Sequence, residues 1–384
     1  MQNAVYMDYQ ATTPCDPRVL AAMIPYFCEE FGNSGSSSHV MGERASEAVE
    51  KARAQVAALI KCHSAEIIFT SGATESNNLA LLGAARFYRE RGNRIIISSL
   101  EHKCVLEAAN SLKREGFEVV ILPVQENGVL DPAVLRESIN EKTILVSIMA
   151  VNNEIGVIQP VAEIGAICRG RGVLFHSDAA QAVGKIDVDA ASMDLMSISG
   201  HKIYGPKGIG ALFVRMNPRV RLTPLLYGGG QERGFRSGTI PTPLCVGLGE
   251  ACELSQREMV AESLKLTEFK NYFIRKIFDN LERVQLNGDQ ELRIPGCLNF
   301  SFEGVEGEGI MLGMRDICVS SGSACTSASL EPSYVLKALS VREDLAHSSL
   351  RIGFGRFTTF EEIEYASSRI IEVVKRLREM SPIW

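Results

Sequence analysis

Short runs rich in Ile, Val and Leu recur between helix-patterned stretches, and this rhythm restricts the architecture more than any other feature of the chain. Strand-like runs at Arg94 to Ser98, Glu118 to Leu122, Thr143 to Met149, Val173 to Phe175, Leu195 to Ile198 and Ala211 to Val214 alternate with helical patterns such as Val49 to Leu59 and Val161 to Arg169. Strands fed by crossover helices build an α/β domain around a mainly parallel, centrally buried sheet. Such sheets bind ligands at the carboxyl ends of their strands. Ser71, Glu101, His102, Asn153, Asp178 and Lys202 each follow a predicted strand, so one pocket is expected to collect them.

From about residue 250 the pattern changes. A charged helical stretch, Glu250 to Arg283, leads to Leu298 to Phe302, Asp316 to Ser320 and a last helix, Glu361 to Met380. With 384 residues, 46% of them hydrophobic, the chain has the size of one large domain plus a smaller one. The expected division is residues 14–258 for the large, ligand-binding domain, and residues 1–13 with 259–384 for a small α+β domain. A long helix is expected to join them.

Composition excludes several classes. The net charge is −6 and no long basic run occurs, so neither a nucleic-acid footprint nor a polybasic membrane patch is expected. The opening residues lack the charged and apolar regions of a signal peptide, and no apolar stretch approaches the roughly 20 residues of a membrane span. A cytoplasmic protein with no membrane partner is the expectation. The ten cysteines are scattered without a CxxC pair or metal-ligand spacing, which reads as mostly small buried hydrophobes in a reducing compartment, with no resident metal. It also counts against an inactive adaptor or an iron-sulfur scaffold.

Two segments carry specific chemistry. Lys202 lies in Ser197-Ile-Ser-Gly-His-Lys-Ile-Tyr-Gly-Pro, downstream of Asp178, which ends the buried-strand pattern Gly-Val-Leu-Phe-His-Ser-Asp. A lysine able to form a Schiff base and a carboxylate for a pyridinium nitrogen are what pyridoxal 5'-phosphate needs from a protein. Standing alone, such a lysine is better read as a surface residue beside a glycine-rich turn. The run Phe69 to Asn78 passes from strand to helix start, where free N–H groups, the helix dipole and the Thr74 hydroxyl make a phosphate cradle. The alternative there is an ordinary helix capped by Ser71 or Thr74.

Taken with Tyr9 to Pro14, Glu101 to Lys103, Val151 to Gly156, His176 to Gln181, Arg236 to Thr239 and Ser320 to Tyr334, these runs resemble the cysteine desulfurases of the class V aminotransferase fold across essentially the whole chain, and most closely the IscS-like group. The resemblance implies an aspartate-aminotransferase-like, pyridoxal-phosphate-dependent transferase fold. It implies Lys202 as the Schiff-base lysine, Asp178 at the pyridine nitrogen, Gln181 at the ring oxygen and His102 stacked on the ring. Phosphate contacts fall on Ala73, Thr74, Ser199 and His201, with Thr239 reaching across from the other subunit of a homodimer. Asn153, beside the cofactor, and Arg351 hold the substrate carboxylate, Arg351 as a fork suited to a planar group. The remaining histidines receive no catalytic role, and His176 reads as a satisfied histidine near a strand end.

Cys325 sits in Ser320-Ser-Gly-Ser-Ala-Cys-Thr-Ser-Ala-Ser-Leu-Glu-Pro, a run too small and polar to pack as core, which reads as a mobile loop. Cys318, in Ile317-Cys318-Val319, reads as a buried structural cysteine. An ordinary thiol is only about 3% thiolate at pH 7, so attack by Cys325 needs a depressed pKa or a nearby base. The implied reaction converts L-cysteine to L-alanine, with Lys202 and His102 carrying protons and Cys325 taking the sulfur as a persulfide. Acceptors of that sulfur are an iron-sulfur scaffold protein and the tRNA-thiolation route, with Cys325 a possible transient cluster ligand. A selenocysteine lyase or related β-lyase is the alternative that shares the cofactor site.

Two departures from the family pattern stand out. Gly32-Asn33-Ser34-Gly35-Ser36-Ser37-Ser38-His39 lacks a φ-fixing proline, which predicts a looser substrate-side loop. The chain ends at Trp384 where relatives often continue with a scaffold-docking tail, which predicts weaker docking or a different docking mode.

Overall fold

The computed structural model describes residues 4–321 and 332–380. In chain order the strands are β1 Val5–Tyr6, β2 Ile67–Thr70, β3 Arg94–Ser98, β4 Glu118–Leu122, β5 Thr143–Ser147, β6 Leu174–Asp178, β7 Leu195–Ser199, β8 Gly210–Val214, β9 Val284–Leu286, β10 Cys297–Phe302, β11 Ile317–Cys318 and β12 Ser349–Gly353. Seven form the main sheet in the order β2-β8-β7-β6-β5-β3-β4. Strands β4, β3, β5, β6 and β7 are parallel, and β8 runs antiparallel to both β7 and β2. The reversal has a local cause. A parallel return needs a crossover of a dozen or more residues, and the link from Ser199 to Gly210 holds only the 3-10 turn Gly200–Lys202. Strands β5, β7 and β8 are buried at every residue, as expected of a sheet covered on both faces.

The helix Thr242–Asn280 connects two cores. Its first half gives Cys245, Leu248, Ala251, Cys252 and Leu254 to the core of the main sheet, while Leu266, Phe269, Phe273 and Ile277 enter a second core. That second core is closed by the antiparallel sheet β12-β10-β9, through Phe300, Phe302, Leu350 and Ile352, and by the last helix, Phe360–Met380. The last helix buries Ile363, Ala366, Ile370, Val373 and Val374, the three- and four-residue spacing of one helical face. Strands β1 and β11 pair in parallel, which ties the start of the chain to this smaller part. Among the described residues no helix is long and apolar enough to cross a membrane.

Three expectations are corrected. Only Cys168, Cys245, Cys252 and Cys297 are buried among the nine described cysteines, all of them free, so burial is the minority state. Cys318 is exposed, because its strand β11 has only the two-residue β1 beside it and the alternation turns Ile317 inward and Cys318 out. The segment after Gly32 is also tightly held, without the missing proline. Asn33 Oδ1 accepts from Gly35 N at 2.9 Å, and His39 caps the helix Val40–Leu59 by accepting from Gly42 N at 3.1 Å. A Cβ on Gly42 would lie 1.8 Å from Ser36 O, so the backbones cross there at contact distance.

Candidate active site

A cavity of about 520 Å³ opens at the carboxyl ends of β2, β3, β6 and β7 and reaches β12 and the chain's first residues. Its walls include Ala73, Thr74, His102, Asn153, Asp178, Gln181, Ser199, His201, Lys202 and Arg351. Thr239 is exposed and does not line it. Cys325 lies outside the described residues.

One end of the cavity is made by the helix Ala73–Phe87. Its N-cap is Gly72 at φ +148°, a backbone state that L side chains rarely adopt. No side chain caps this helix, neither Ser71 nor Thr74, so its first-turn N–H groups keep their hydrogen-bonding capacity. Gly210, opening β8, lets this turn lie close, since a Cβ there would sit 2.6 Å from Gly72 Cα. His201 Nδ1 lies 3.1 Å from Thr12 Oγ1, and burial, with Lys202 adding to it, pushes the imidazole down to about 4. Open helix N–H groups beside the Thr74 and Ser199 hydroxyls fit a phosphate.

Next to it lie the groups suited to a pyridine ring. Asp178, at the end of β6, is held by donors on both oxygens: Asn77 Nδ2 at 2.7 Å and Ala180 N at 3.0 Å. His102 caps the helix Lys103–Arg114, and its Nδ1 accepts from Cys104 N at 3.2 Å. An accepting Nδ1 places the proton of the neutral ring on Nε2. Lys202, in the turn Gly200–Lys202, donates from Nζ to Gln10 O at 2.5 Å and Ala11 O at 2.7 Å. Two residues on, Tyr204 has φ +65°, an uncommon state for a residue with a side chain. Three contacts hold it there: Tyr204 N donates to Thr13 Oγ1, its hydroxyl donates to Glu262 at 2.7 Å, and that hydroxyl accepts from Arg356 N at 2.6 Å.

The opposite end is built from the smaller part. Arg351, on β12 and 3% exposed, donates from Nη2 to Asp8 Oδ1 at 2.8 Å and from Nη1 to Asn153 O at 3.2 Å. Its Nε and the Asn153 Oδ1 are buried and have no partner among the described residues. A buried polar atom left unmatched costs about 1–3 kcal/mol, so this end is incomplete without a polar ligand. Burial pushes Glu101, which does not line the cavity, up to about 8, and Glu154, in its wall, up to about 7. Glu154 accepts from Ser333 Oγ at 2.5 Å, and Glu101 from Ser98 Oγ and Met149 N. His176 reaches Ser147 and Ser197 with its two ring nitrogens and is pushed down to about 3 by burial, a satisfied core histidine.

The sequence reading missed Gln10, Asn77 and Asp8. Gln10 and Asn77 stand inside runs that it singled out, Tyr9 to Pro14 and Phe69 to Asn78, so the signal marked the segments without marking the residues. Asp8 sits just outside, and only its pairing with Arg351 reveals it.

The sheet, its switch to a smaller α+β part and a lysine and a carboxylate lining one cavity define the class of pyridoxal-phosphate-dependent transferases. The family model of class-V aminotransferases matches residues 5–366. The chain is 58% identical over 382 residues to "Cysteine desulfurase IscS" of Rickettsia bellii (strain OSU 85-389), covering 99% of this chain and 93% of that one. Among solved structures it resembles a "NifS-like protein" with a TM-score of 0.90 at 35% identity, over 97% of this chain and 100% of that one. A second, titled "SspA in complex with cysteine", gives a TM-score of 0.83 at 37% identity, over 92% of this chain and 99% of that one. The chain belongs to the class-V aminotransferase family, in its cysteine desulfurase group.

Proposed function

We infer that this chain is a pyridoxal-phosphate-dependent cysteine desulfurase, converting L-cysteine to L-alanine and passing the sulfur to Cys325 as a persulfide. The observation that carries the reading is the convergence of Lys202, the doubly held Asp178 and an uncapped helix N-terminus on one cavity whose far end keeps Arg351 Nε unpartnered. When bound, the cofactor supplies an electron sink for the substrate's Cα. The chain's own residues do the rest. Ala73, Thr74, Ser199 and His201 would hold the phosphate, Asp178 would pair with the ring nitrogen, Gln181 with the ring oxygen, and His102 would cover the ring. Arg351 and Asn153 take the substrate carboxylate, which fixes the orientation of the bound cysteine. Lys202 Nζ and His102 Nε2 hold and move protons. One thiol on Cys325 plus cysteine gives alanine plus one persulfide, so the sulfur balance closes without an added oxidant.

The proposal extends to assembly. A homodimer places Thr239 at its neighbour's phosphate, a reading supported by Thr239 being exposed outside its own cavity while Arg236 anchors the segment to Glu75 at 2.9 Å. Tyr227 in the same stretch is 78% exposed, an apolar surface for such a contact. We further place the boundary between the two parts near residue 258, inside the helix Thr242–Asn280. The acceptors are an iron-sulfur scaffold protein and the tRNA-thiolation route, and the setting is the cytoplasm, in keeping with nine described cysteines all free. Alanine and sulfide release from L-cysteine with a thiol reductant tests the activity. Cys325→Ser is expected to bind cofactor and cysteine and to release no sulfide above background; parent-rate alanine from it would remove Cys325 from the reaction. A fully active monomer at micromolar concentration would refute the dimer.

A further inference from the structure

Gln181 has its amide fixed at both ends. Its Oε1 accepts from Lys185 Nζ at 2.5 Å, and its Nε2 donates to Gln10 O at 2.9 Å. An ammonium only donates and a backbone carbonyl only accepts, so neither contact survives a flip of the amide. The second Nε2 hydrogen has no partner among the described residues, and Gln181 lines the main cavity. The turn that brings Lys185 back to Gln181 is specified locally. Lys185 N donates to Ala182 O at 3.0 Å, and Gly184 takes φ +75°, where a Cβ would meet Ile203 Cγ2 at 2.8 Å. Lys185 and Gly184 also line a second, small cavity of about 30 Å³ with Glu262 and Tyr204, enough room for a water on the ammonium's remaining donors.

We propose that Lys185 is a positioning residue for the cofactor: it locks Gln181 as a donor toward the ring oxygen, and its charge favours negative charge on that oxygen. The inference rests on the cofactor reading given above. The charged groups that act on Lys185 are Glu262 and Arg351, while the nearby Cys297 thiol, pushed up to about 11 by burial, stays neutral, and Glu262 is already engaged by Tyr204 and Arg356. Burial pulls Lys185 down to about 8, so it is still largely protonated near neutral pH. A cation one side chain away from where the ring oxygen would lie would lower the pH at which a proton held at that oxygen leaves.

The test follows the bound cofactor's absorption against pH and its dissociation constant, in the parent holoenzyme and in Lys185→Met, Lys185→Gln and Gln181→Ala. Lys185→Met is expected to raise the absorption midpoint by about one pH unit and to weaken cofactor binding about tenfold. Lys185→Gln keeps a donor without the charge, so its binding is expected within about threefold of the parent while the midpoint stays raised. It also covers the case in which Lys185→Met fails to fold. A parent-like midpoint in both Lys185 variants, with a shifted one in Gln181→Ala, would overturn the role of Lys185 and leave the cofactor site standing. A parent protein that takes up no cofactor would overturn the site reading itself.

Discussion

The side chains proposed to face the cofactor ring and those proposed to take the substrate carboxylate differ in how far their hydrogen bonds are satisfied. At the end proposed for the cofactor the ring-facing side chains already have partners, with Asp178 taking two donors, Gln181 pinned between Lys185 and Gln10, and His102 accepting from its own helix, while the first turn of Ala73–Phe87 stays uncapped. At the substrate end Arg351 Nε and Asn153 Oδ1 are buried with no described partner. The first plan suits a group that stays, since a preorganised pocket spends little on rearrangement each time it is filled. The second suits a group that comes and goes, because the free atoms gain partners only while the ligand is there. The contrast holds for the ring-facing side chains alone, since Asn77 Oδ1 and Gln10 Oε1 at the same end are also buried without a described partner and the helix start beside them is uncapped.

Removing Lys202, the anchor proposed above, should break the end proposed for the cofactor outright. Lys202→Ala is expected to lose turnover by roughly 10³ or more, the scale of removing a proton-transfer group, and to yield no borohydride-fixed cofactor. A reduced adduct on another lysine would move the anchor elsewhere. At the other end the effect is confined to binding. Arg351→Lys keeps the charge and loses the planar fork, so KM for cysteine should rise about 10- to 100-fold with kcat within a few-fold of the parent. A fall in kcat at unchanged KM would show that Arg351 acts in the chemistry and blur the distinction between the ends.

A smaller change separates them further. Asn77→Ala strips one donor from Asp178 and leaves a buried carboxylate oxygen unmatched, so cofactor affinity should drop about tenfold while KM for cysteine holds. Equilibrium dialysis of the cofactor and steady-state kinetics read the two quantities independently. A raised KM with unchanged cofactor affinity would invert the assignment.

The same contrast explains what was legible in the sequence. Asp178 ends a strand, and Lys202, His102 and Thr74 each follow one in a short run, so local pattern and sheet topology together place them at one rim. Their supports are decided by distant pairings: Gln181 to Gln10 spans 171 residues and Arg351 to Asp8 spans 343. No periodicity records such a pair. Asn77 is concealed differently, as one polar residue on the buried face of a helix whose neighbours Leu79 and Ala80 are also buried. The reversed strand β8 was hidden because buried strands read alike in either direction. Cys318 misled because a two-residue strand at a sheet edge carries the same apolar neighbours as a core strand.

Glu101 offers the finest test, since it supports the cofactor end without lining the cavity. Its Oε1 accepts from Ser98 Oγ at 2.7 Å and Met149 N at 2.8 Å, and its Oε2 has no partner among the described residues. Burial pushes its pKa from 4.5 up to about 8, and the nearby Asp178 charge acts in the same direction. The folded chain therefore keeps a proton that the unfolded chain releases near 4.5, and folding stability falls as pH rises through this window, by at most about 1.4 kcal/mol per unit, and levels off above the folded value. Glu154, pushed up to about 7, adds to the same slope, while His176, pushed down to about 3, acts with the opposite sign and only below its ordinary range. Between about pH 7 and 8 the slope from these three groups belongs mainly to Glu101. Glu101→Gln is neutral at every pH, so its denaturation midpoint should fall less than the parent's across that unit, with cofactor affinity within about threefold. An equal slope in parent and variant would mean that the carboxyl is ionised in the fold, and that the cofactor end tolerates a second negative charge beside Asp178.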